Sequence, residues 1–193
     1  EEANKAIQAK LDALSTEKVN ELEIGGRNLF LRSADYDNEY WSTKGALVVL
    51  DELFDSTKII KINSAWANKA YRVDKLTDFT SEHTLSFNVK SDFDTSSQTG
   101  TVNVYGVLVP KEVISINQIT EEWQRISVQV TPSATDPYGY GIRVELTQTL
   151  PTGKNIYMSG FKLEKGNKAT DWTPAPEDVQ AEIDDAKQEA LTA

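Results

Sequence analysis

The chain has 193 residues, no cysteine, one histidine and a formal net charge of −10 at pH 7. The lack of cysteine excludes a disulfide scaffold and a thiolate metal site. No apolar run approaches the roughly 20 residues of a membrane span, so membrane insertion is not expected. Residues 1–24 carry six acidic and three basic side chains, and residues 177–193 carry six acidic and one basic. The centre is therefore close to neutral, which argues against a nucleic-acid ligand.

Residues 1–24 are predicted to form a helical connector. Five residues recur at spacings of three and four, as in the seam of a coiled coil: Asn4, Ile7, Leu11, Leu14 and Lys18. Self-association through this seam is the favoured interpretation, and the alternative is one amphipathic helix docked on the domain. Gly25-Gly26 follow the helix, and because glycine readily redirects a chain, the domain is predicted to start there.

Residues 25–172 are predicted to form one β-domain. Eight short β-rich runs, separated by turn residues, lie between Asn28 and Glu164: NLFLRS, ALVVL, KIIKIN, HTLSFNVKS, TVNVYGVLVP, WQRISVQVTP, YGIRVELTQ and NIYMSGFKLE. About eight or nine strands without helical patterns between them predict an antiparallel β-sandwich or jelly roll, because parallel strands need crossover helices.

Two of these runs alternate strictly between apolar and polar residues. The apolar members are Leu85, Phe87 and Val89 in one run and Ile142, Val144 and Leu146 in the other, and the polar members are Ser86, Asn88, Lys90, Arg143, Glu145 and Thr147. Because successive side chains of a strand point to opposite faces, each strand is predicted to have one buried and one exposed face.

Residues 173–193 are predicted to form a second helical connector. Pro176 suits the first helical position, and Glu177 and Asp178 are favourable near the positive end of a helix dipole. An apolar stripe with spacings of four, three and four follows: Val179, Ile183, Ala186 and Ala190. Because two heptads do not form a stable helix alone, this helix is expected to continue further or to associate with copies of itself.

The junction LEKGNKATDWTPAPEDV resembles the closing segment of carbohydrate-binding modules in tail and baseplate proteins of siphophages of Gram-positive bacteria. GGRNLFLRS looks like the first strand of those modules, HTLSFNVKS like a central strand, and EEWQRISVQVTP like the Trp-containing strand of many sugar-binding jelly rolls. The likeness spans residues 25–178. It implies a virion adhesion module of the phage tail that binds host cell-wall polysaccharide, contacts other tail proteins and forms a trimer, as tail fibres generally do.

Catalysis has little support in the sequence, and the protein is predicted not to be an enzyme. His83 shares strand parity with apolar neighbours, which indicates a structural role. The acidic pairs Glu121-Glu122 and Asp92/Asp94 lie in polar stretches, where carboxylates are usually solvated. No cofactor is expected. Some related jelly rolls hold a structural calcium ion, but SDFDTSSQTG lacks the offsets of a calcium-binding loop, so the sequence identifies no metal ligands.

Six residues are predicted to bind the ligand, because the apolar face of a sugar ring stacks on Trp or Tyr while its hydroxyls need polar partners: Trp41, Trp66, Tyr105, Tyr138, Tyr140 and Arg143. Trp41 and Trp66 lie in polar, turn-rich stretches, and the alternative is that they fold over the sandwich rim. The two loop tyrosines follow Pro137 in TDPYGYG, a stretch typical of binding loops.

The positions of the remaining candidates are predicted from strand parity and from their neighbours in the sequence. Tyr105 and Arg143 are expected on a solvated sheet face, where the alternative for Tyr105 is an ordinary exposed strand tyrosine. Trp123 and Trp172 are interpreted as structural, the latter holding the helical segment against the domain. Two functions stay open: non-catalytic saccharide binding, and a structural spacer of the tail that uses the same fold.

Overall fold

The computed structural model describes residues 2–24 and 26–193, with the backbone alone for residues 18–24. The α-helices of this part are α1 (Glu2–Ile24) and α2 (Pro176–Thr192). Its ten strands are β1 (Trp41–Lys44), β2 (Leu47–Phe54), β3 (Thr57–Ile62), β4 (Asn68–Tyr71), β5 (His83–Ser91), β6 (Thr101–Tyr105), β7 (Lys111–Ser115), β8 (Gln124–Val130), β9 (Ile142–Leu146) and β10 (Ile156–Lys165). Gly25, at the predicted domain start, lies outside the described residues, as does the side chain of Lys18.

The strands form two antiparallel five-stranded sheets, in the orders β1-β4-β9-β6-β7 and β2-β3-β10-β5-β8. Eight of the strands pair as nested antiparallel partners: β3 with β10, β4 with β9, β5 with β8 and β6 with β7. Such pairing describes one long antiparallel ribbon rolled into two layers, which is the topology of a jelly roll. β1 and β2 each extend one edge of a sheet. The predicted antiparallel sandwich is confirmed.

Seven of the eight predicted strands are present, and the prediction of a strand at NLFLRS is wrong. Residues 31–36 form a run of turns, in which Arg32 and Tyr36 have φ values of 54° and 56°. The side chain of Asn28 accepts a hydrogen bond from the backbone N–H of Phe30 (3.0 Å) and stabilises this local fold. The strands that the sequence missed are β1, β4 and β7. They are four or five residues long, which is too short to show alternation.

The apolar core fills the space between the sheets. It includes the predicted apolar faces of β5 and β9: Leu85, Phe87, Val89, Ile142, Val144 and Leu146. The prediction that the opposite faces are exposed is wrong for these strands, because Ser86, Asn88, Arg143 and Glu145 are also buried. The outer sides of both sheets are partly covered, so the buried polar groups there must find hydrogen-bond partners within the protein.

Trp41 lies in the core, so its prediction as a ligand-binding residue is wrong. Only 1% of the side chain is exposed. Its ring packs edge-on against Phe30, Tyr36 and Tyr71 at centroid distances of 5.2, 5.3 and 5.2 Å, and its Nε1 donates a hydrogen bond to the carbonyl of Leu31 (2.8 Å). The polar residues around Trp41 face outward, whereas the indole is the one inward-facing side chain at the start of β1.

α1 and α2 pack against each other within the chain. Ser15 donates a hydrogen bond to Gln180 (3.0 Å), and Lys187 pairs with Asp12 (2.6 Å). The order of these contacts makes the two helices antiparallel. Ile7 and Leu14 of the predicted seam stay exposed. The coiled coil with other copies therefore stays a prediction, and the helix pair is an additional feature that the sequence did not indicate.

The segment before α2 is held against the sandwich by polar contacts. Trp172 Nε1 donates to the hydroxyl of Ser33 (3.1 Å), which agrees with the structural role predicted for this indole. Asn28 Nδ2 donates to the carbonyl of Thr173 (2.8 Å). Pro176 occupies the start of the helix as expected, and Asp178 accepts a hydrogen bond from the backbone N–H of Arg32 (2.6 Å).

The junction between the sandwich and α2 should depend on pH through Asp178. Burial raises the pKa of this carboxyl from 3.8 to about 6. Between those values the folded state keeps a proton that the unfolded state releases, so the stability contributed by Asp178 falls as pH rises from about 4 to about 6. Asp178→Asn removes this component. At pH 7 the variant should be more stable by on the order of 1 kcal/mol, since half-exposure screens the effect.

The measurement is the melting temperature of both proteins at several pH values from about 4 to about 7. Asp185→Asn is the matched control, because it removes an exposed acidic side chain from the same helix. A melting temperature of Asp178→Asn that follows the wild-type value at every pH contradicts the prediction.

Candidate functional site

An open groove of about 440 Å³ lies on the outer side of the β1-β4-β9-β6-β7 sheet. Its lining residues are Lys44, Trp66, Tyr105, Tyr138, Tyr140, Arg143 and Glu145. The groove therefore brings together five of the six residues predicted to bind the ligand, all except Trp41. Lys44 and Glu145 were missed. Glu145 lies two residues from Arg143 on one strand and shares its face, a signal that could have found it, whereas Lys44 lies on a strand that the sequence did not reveal.

The floor of the groove is built around Arg143 on β9, the central strand of this sheet. The strand register places Tyr105 of β6 beside Arg143. The Arg143 side chain is 4% exposed and forms ion pairs with Asp136 (2.8 Å) and Glu145 (2.7 Å). Arg143 is thus a buried, charge-paired residue rather than part of a solvated face. Its NH2 group has no hydrogen-bond partner among the described residues, so it is left for a ligand hydroxyl.

Aromatic rings surround this guanidinium. Its central carbon lies 5.5 Å from the ring centroid of Tyr105, 5.8 Å from that of Tyr138 and 5.2 Å from that of Tyr140. A cation within about 6 Å of an aromatic face is attracted by it, so Arg143 helps to hold the three rings in place. Lys44 Nζ lies over the ring of Tyr140, 4.1 Å from its centroid.

The walls of the groove offer exposed aromatic surface. Trp66 is 52% exposed and Tyr138 is 68% exposed, so both rings leave a face for a ligand. On one side Trp66 packs at 59° to Tyr105 with centroids 6.3 Å apart. On the other side Tyr138 and Tyr140 are nearly parallel, with centroids also 6.3 Å apart. Large exposed aromatic side chains on both sides of a polar floor are typical of a binding groove.

Trp66 has an unusual backbone conformation. Its φ is 64°, in the left-handed region that costs a bulky residue on the order of 1 kcal/mol or more. The hydrogen bond from the Trp66 N–H to the carbonyl of Leu146 (3.0 Å) stabilises this strained conformation. Asn63, three residues before Trp66 in the chain, donates to the carbonyls of Pro151 and Lys154 and stabilises the neighbouring loop.

Asp136 organises the loop that carries the two tyrosines. Its carboxylate accepts hydrogen bonds from the backbone N–H groups of Tyr138 (3.2 Å), Tyr140 (2.8 Å) and Gly141 (3.0 Å). The same carboxylate accepts from NH1 of Arg143 (2.8 Å). At Gly141 the loop has φ of 92°, a conformation that favours glycine. Asp136 therefore couples the shape of the loop to the ion pair under the groove, a role that sequence reasoning missed.

Glu145 completes the floor of the groove and supplies its second negative charge. It accepts hydrogen bonds from Arg143 and from Asn68 Nδ2 (2.8 Å). In the described part of the chain, the buried Oδ1 of Asn68 has no hydrogen-bond partner. Lys44 and Arg143 balance Asp136 and Glu145, so the groove has no net charge. Both carboxylates are occupied by the arginine, an arrangement that serves binding rather than proton transfer.

The other chemically notable residues have structural partners. His83 is buried, and its Nδ1 lies 2.9 Å from the carbonyl of Ser81. Among the described side chains, those of residues 2–17 and 26–193, there is no cluster of three or more His, Asp or Glu arranged to hold a metal ion. The structural calcium ion that the family resemblance allows stays a prediction.

Comparisons with known proteins give structural neighbours only. No protein-family model and no curated protein matches the chain. The CBM22-1 xylan-binding domain of Paenibacillus barcinonensis Xyn10C is 13% identical over 75% of this chain and 98% of that chain, with a TM-score of 0.47. The tripod (BppUct-A-L) from the baseplate of bacteriophage Tuc2009 is 17% identical over 78% of this chain and 59% of that chain, with a TM-score of 0.45.

A third similar structure is the ligand binding domain of Botulinum neurotoxin serotype D in complex with N-acetylneuraminic acid. It is 8% identical over 75% of this chain and 45% of that chain, with a TM-score of 0.46. Carbohydrate-binding modules and a phage baseplate protein are therefore both among the solved structures that this chain resembles, as the sequence predicted.

Replacing Asp136 with Asn should destabilise the protein and loosen the tyrosine loop. The substitution leaves the buried guanidinium of Arg143 short of one anionic partner, which costs about 3 kcal/mol or more. We expect a lower melting temperature and faster hydrogen exchange at the backbone amides of Tyr140 and Gly141. Asp94→Asn is the matched control, because Asp94 is exposed and accepts one backbone hydrogen bond from Ser96 (3.0 Å). Equal melting temperatures for the two variants contradict the central role of Asp136.

Proposed function

We propose that this protein is a non-catalytic carbohydrate-binding module that holds a saccharide chain in the groove between Trp66 and Tyr138. One observation carries the proposal: exposed aromatic rings stand on both sides of a buried, charge-balanced polar floor. The C–H face of a sugar ring stacks on an aromatic side chain, and its hydroxyls need hydrogen-bonding groups beneath or beside it. The groove supplies both kinds of contact.

The polar floor fixes the orientation of the sugar. The free NH2 group of Arg143 is a donor, the carboxylate of Glu145 is an acceptor, and Lys44 adds a second donor at one end. Because Arg143 and Glu145 are held by ion pairs before the ligand arrives, they lose little side-chain entropy on binding. The absence of net charge in the groove favours a saccharide without acidic groups.

The biological role that fits this site is adhesion of a phage tail to its host. The support comes from the junction LEKGNKATDWTPAPEDV, which resembles that of siphophage carbohydrate-binding modules, and from helices at both ends of the sandwich that suit connection to other tail proteins. The ligand is then a cell-wall polysaccharide of the host bacterium. A single shallow site binds weakly, but copies displayed together on a virion could strengthen attachment by about 100-fold or more.

Trp66→Ala should weaken binding strongly and leave the fold intact. Loss of a stacked, half-exposed aromatic ring weakens binding by about tenfold or more, since such a contact contributes about 1 to 3 kcal/mol. The measurements are staining of whole bacterial cells by labelled protein, pulldown on purified cell-wall polysaccharides, and the melting temperature of the same sample. Trp41→Ala is the structural control. It should lower the stability by about 3 to 5 kcal/mol, because it empties a core position.

Two results contradict the proposal in different ways. If Trp66→Ala binds cell walls as the wild type does, the groove is not the binding site. If the wild-type protein binds none of the cell walls or polysaccharides tested, the structural-spacer function takes its place.

The helical ends are expected to assemble the modules into trimers. Ile7 and Leu14 lie exposed on α1, and burying such side chains in a helix bundle is favourable. Light scattering at several protein concentrations measures the molecular mass directly. Ile7→Lys with Leu14→Lys should shift the protein to monomer, whereas Leu53→Lys, at an exposed leucine of the sandwich, should not. A strictly monomeric wild type at high concentration excludes assembly through these ends alone.

A further inference from the structure

A second groove lies on the opposite side of the sandwich, and a contact between two distant strands creates it. β2 and β8 are the two edge strands of the β2-β3-β10-β5-β8 sheet. Nevertheless, Phe54 at the end of β2 stacks on Trp123 just before β8, with centroids 4.2 Å apart and rings 13° from parallel. Because β3, β10 and β5 lie between these edges, the β2–β3 hairpin must arch across the outer face of the sheet.

The local structure of the hairpin explains the arch. The pairing of β2 with β3 shifts register between Leu50 and Leu53, and a bulge of this kind bends the strand. Asp55 and Ser56 both have positive φ, of 48° and 66°, which gives the tight turn of a two-residue hairpin. The hydroxyl of Thr57 accepts a hydrogen bond from the backbone N–H of Gly160 (2.9 Å) and fixes the base of the hairpin to β10.

The space under the arch is a groove of about 440 Å³, the same volume as the first. It is lined by Leu50, Glu52, Leu53, Phe54, Ile59, Lys90, Ser91, Asp92, Glu121, Trp123 and Tyr157. Strand register places Lys90 and Tyr157 side by side on its floor. The groove thus combines aromatic rings and apolar surface with hydrogen-bonding groups, as the first groove does.

Lys90 occupies the centre of this arrangement. Its Nζ lies 5.3 Å from the ring centroid of Trp123 and 5.7 Å from that of Tyr157. Among the described residues it forms no ion pair or hydrogen bond, so its three N–H donors are free for a ligand. The phenol of Tyr157 donates to Asp92 (3.1 Å), which leaves the phenol oxygen able to accept a hydrogen bond.

We infer that this second groove binds a saccharide without acidic groups, independently of the first groove. Phe54 covers one face of Trp123, so the other face and the partly exposed ring of Tyr157 offer stacking surface. The ammonium of Lys90 offers donors to sugar hydroxyls. The carboxylates of Glu52, Asp92 and Glu121 outnumber that one ammonium, so the groove repels an anionic polymer. One module then has two saccharide sites on opposite faces of the sandwich and can contact two chains of a polysaccharide layer.

The four tryptophans of the chain provide an internal test. Each indole N–H gives one signal in a ¹⁵N-correlated NMR spectrum, and single Trp→Phe variants assign the signals. Trp66 reports on the first groove and Trp123 on the second, whereas Trp41 and Trp172 are internal controls. The ligands for titration are xylohexaose, cellohexaose, maltohexaose and chitohexaose, with polygalacturonic acid as the acidic comparison.

We expect a neutral oligosaccharide to shift the Trp123 signal in the wild type, and to shift it by the same amount in Trp66→Ala. Lys90→Ala, which keeps the stack of Phe54 on Trp123, should weaken the binding seen at Trp123 by about tenfold through the lost charged hydrogen bonds. The affinity seen at Trp66 should not change. Polygalacturonic acid should shift neither signal.

The outcomes separate the two sites. A shift at Trp66 without one at Trp123 overturns the second site and leaves the proposed function intact. A shift at Trp123 alone supports the second site and removes the first. A Trp123 shift that disappears in Trp66→Ala shows an indirect effect and overturns the inference, as does the absence of any Trp123 shift with all four neutral ligands.

Discussion

The first groove depends on one buried cation. Arg143 lies on the central strand of its sheet, where the neighbouring strands and the tyrosine rings keep it from solvent. A buried guanidinium is tolerated only when charged partners and hydrogen bonds satisfy it. Those partners come from Glu145 on the same strand and from Asp136 in the loop before it. The charge requirement of the sheet therefore also determines the shape of the loop that carries the aromatic wall.

The outer faces of both sheets follow the same physical pattern. An ordinary sandwich buries one face of each strand, but here polar side chains on the outer faces are buried as well. On the second sheet, Arg125 donates to Ser86 (2.8 Å) and to the carbonyl of Gly160 (2.9 Å). Lys162 donates to Thr170 (2.8 Å) in the segment that leads to α2. These hydrogen bonds fix the positions of the polar side chains on each outer face.

The same layers connect the binding surfaces to the ends of the chain. The segment after β10 lies over the second sheet before it reaches α2, and α2 then packs antiparallel on α1 through Lys187 and Asp12. Both helices therefore extend from one side of the sandwich. No residue of α1 or α2 in the described part of the chain lines either groove, so both grooves stay open to solvent.

The sequence by itself determined seven of the ten described strands and the two helical ends, because these elements have short-range periodicities that can be recognised without tertiary context. Alternation in β5 and β9 identified the core side chains, and five of the six aromatic and basic candidates proved to line one groove. The turns were harder to predict from the sequence. Asn28 hydrogen-bonds the backbone of Phe30 at the start of NLFLRS, which continues into turns, although the composition of this segment is typical of a strand.

Only the tertiary structure decided which tryptophan is buried and which is exposed. Trp41 and Trp66 lie in similar polar stretches, yet Trp41 faces the other sheet and Trp66 faces solvent. Strand parity states that two residues share a face, but it does not state what covers that face. Whether a face is covered depends on contacts between residues far apart in sequence, such as Asn68 with Glu145 and Phe54 with Trp123. Both grooves depend on such long-range contacts, which local sequence patterns do not predict.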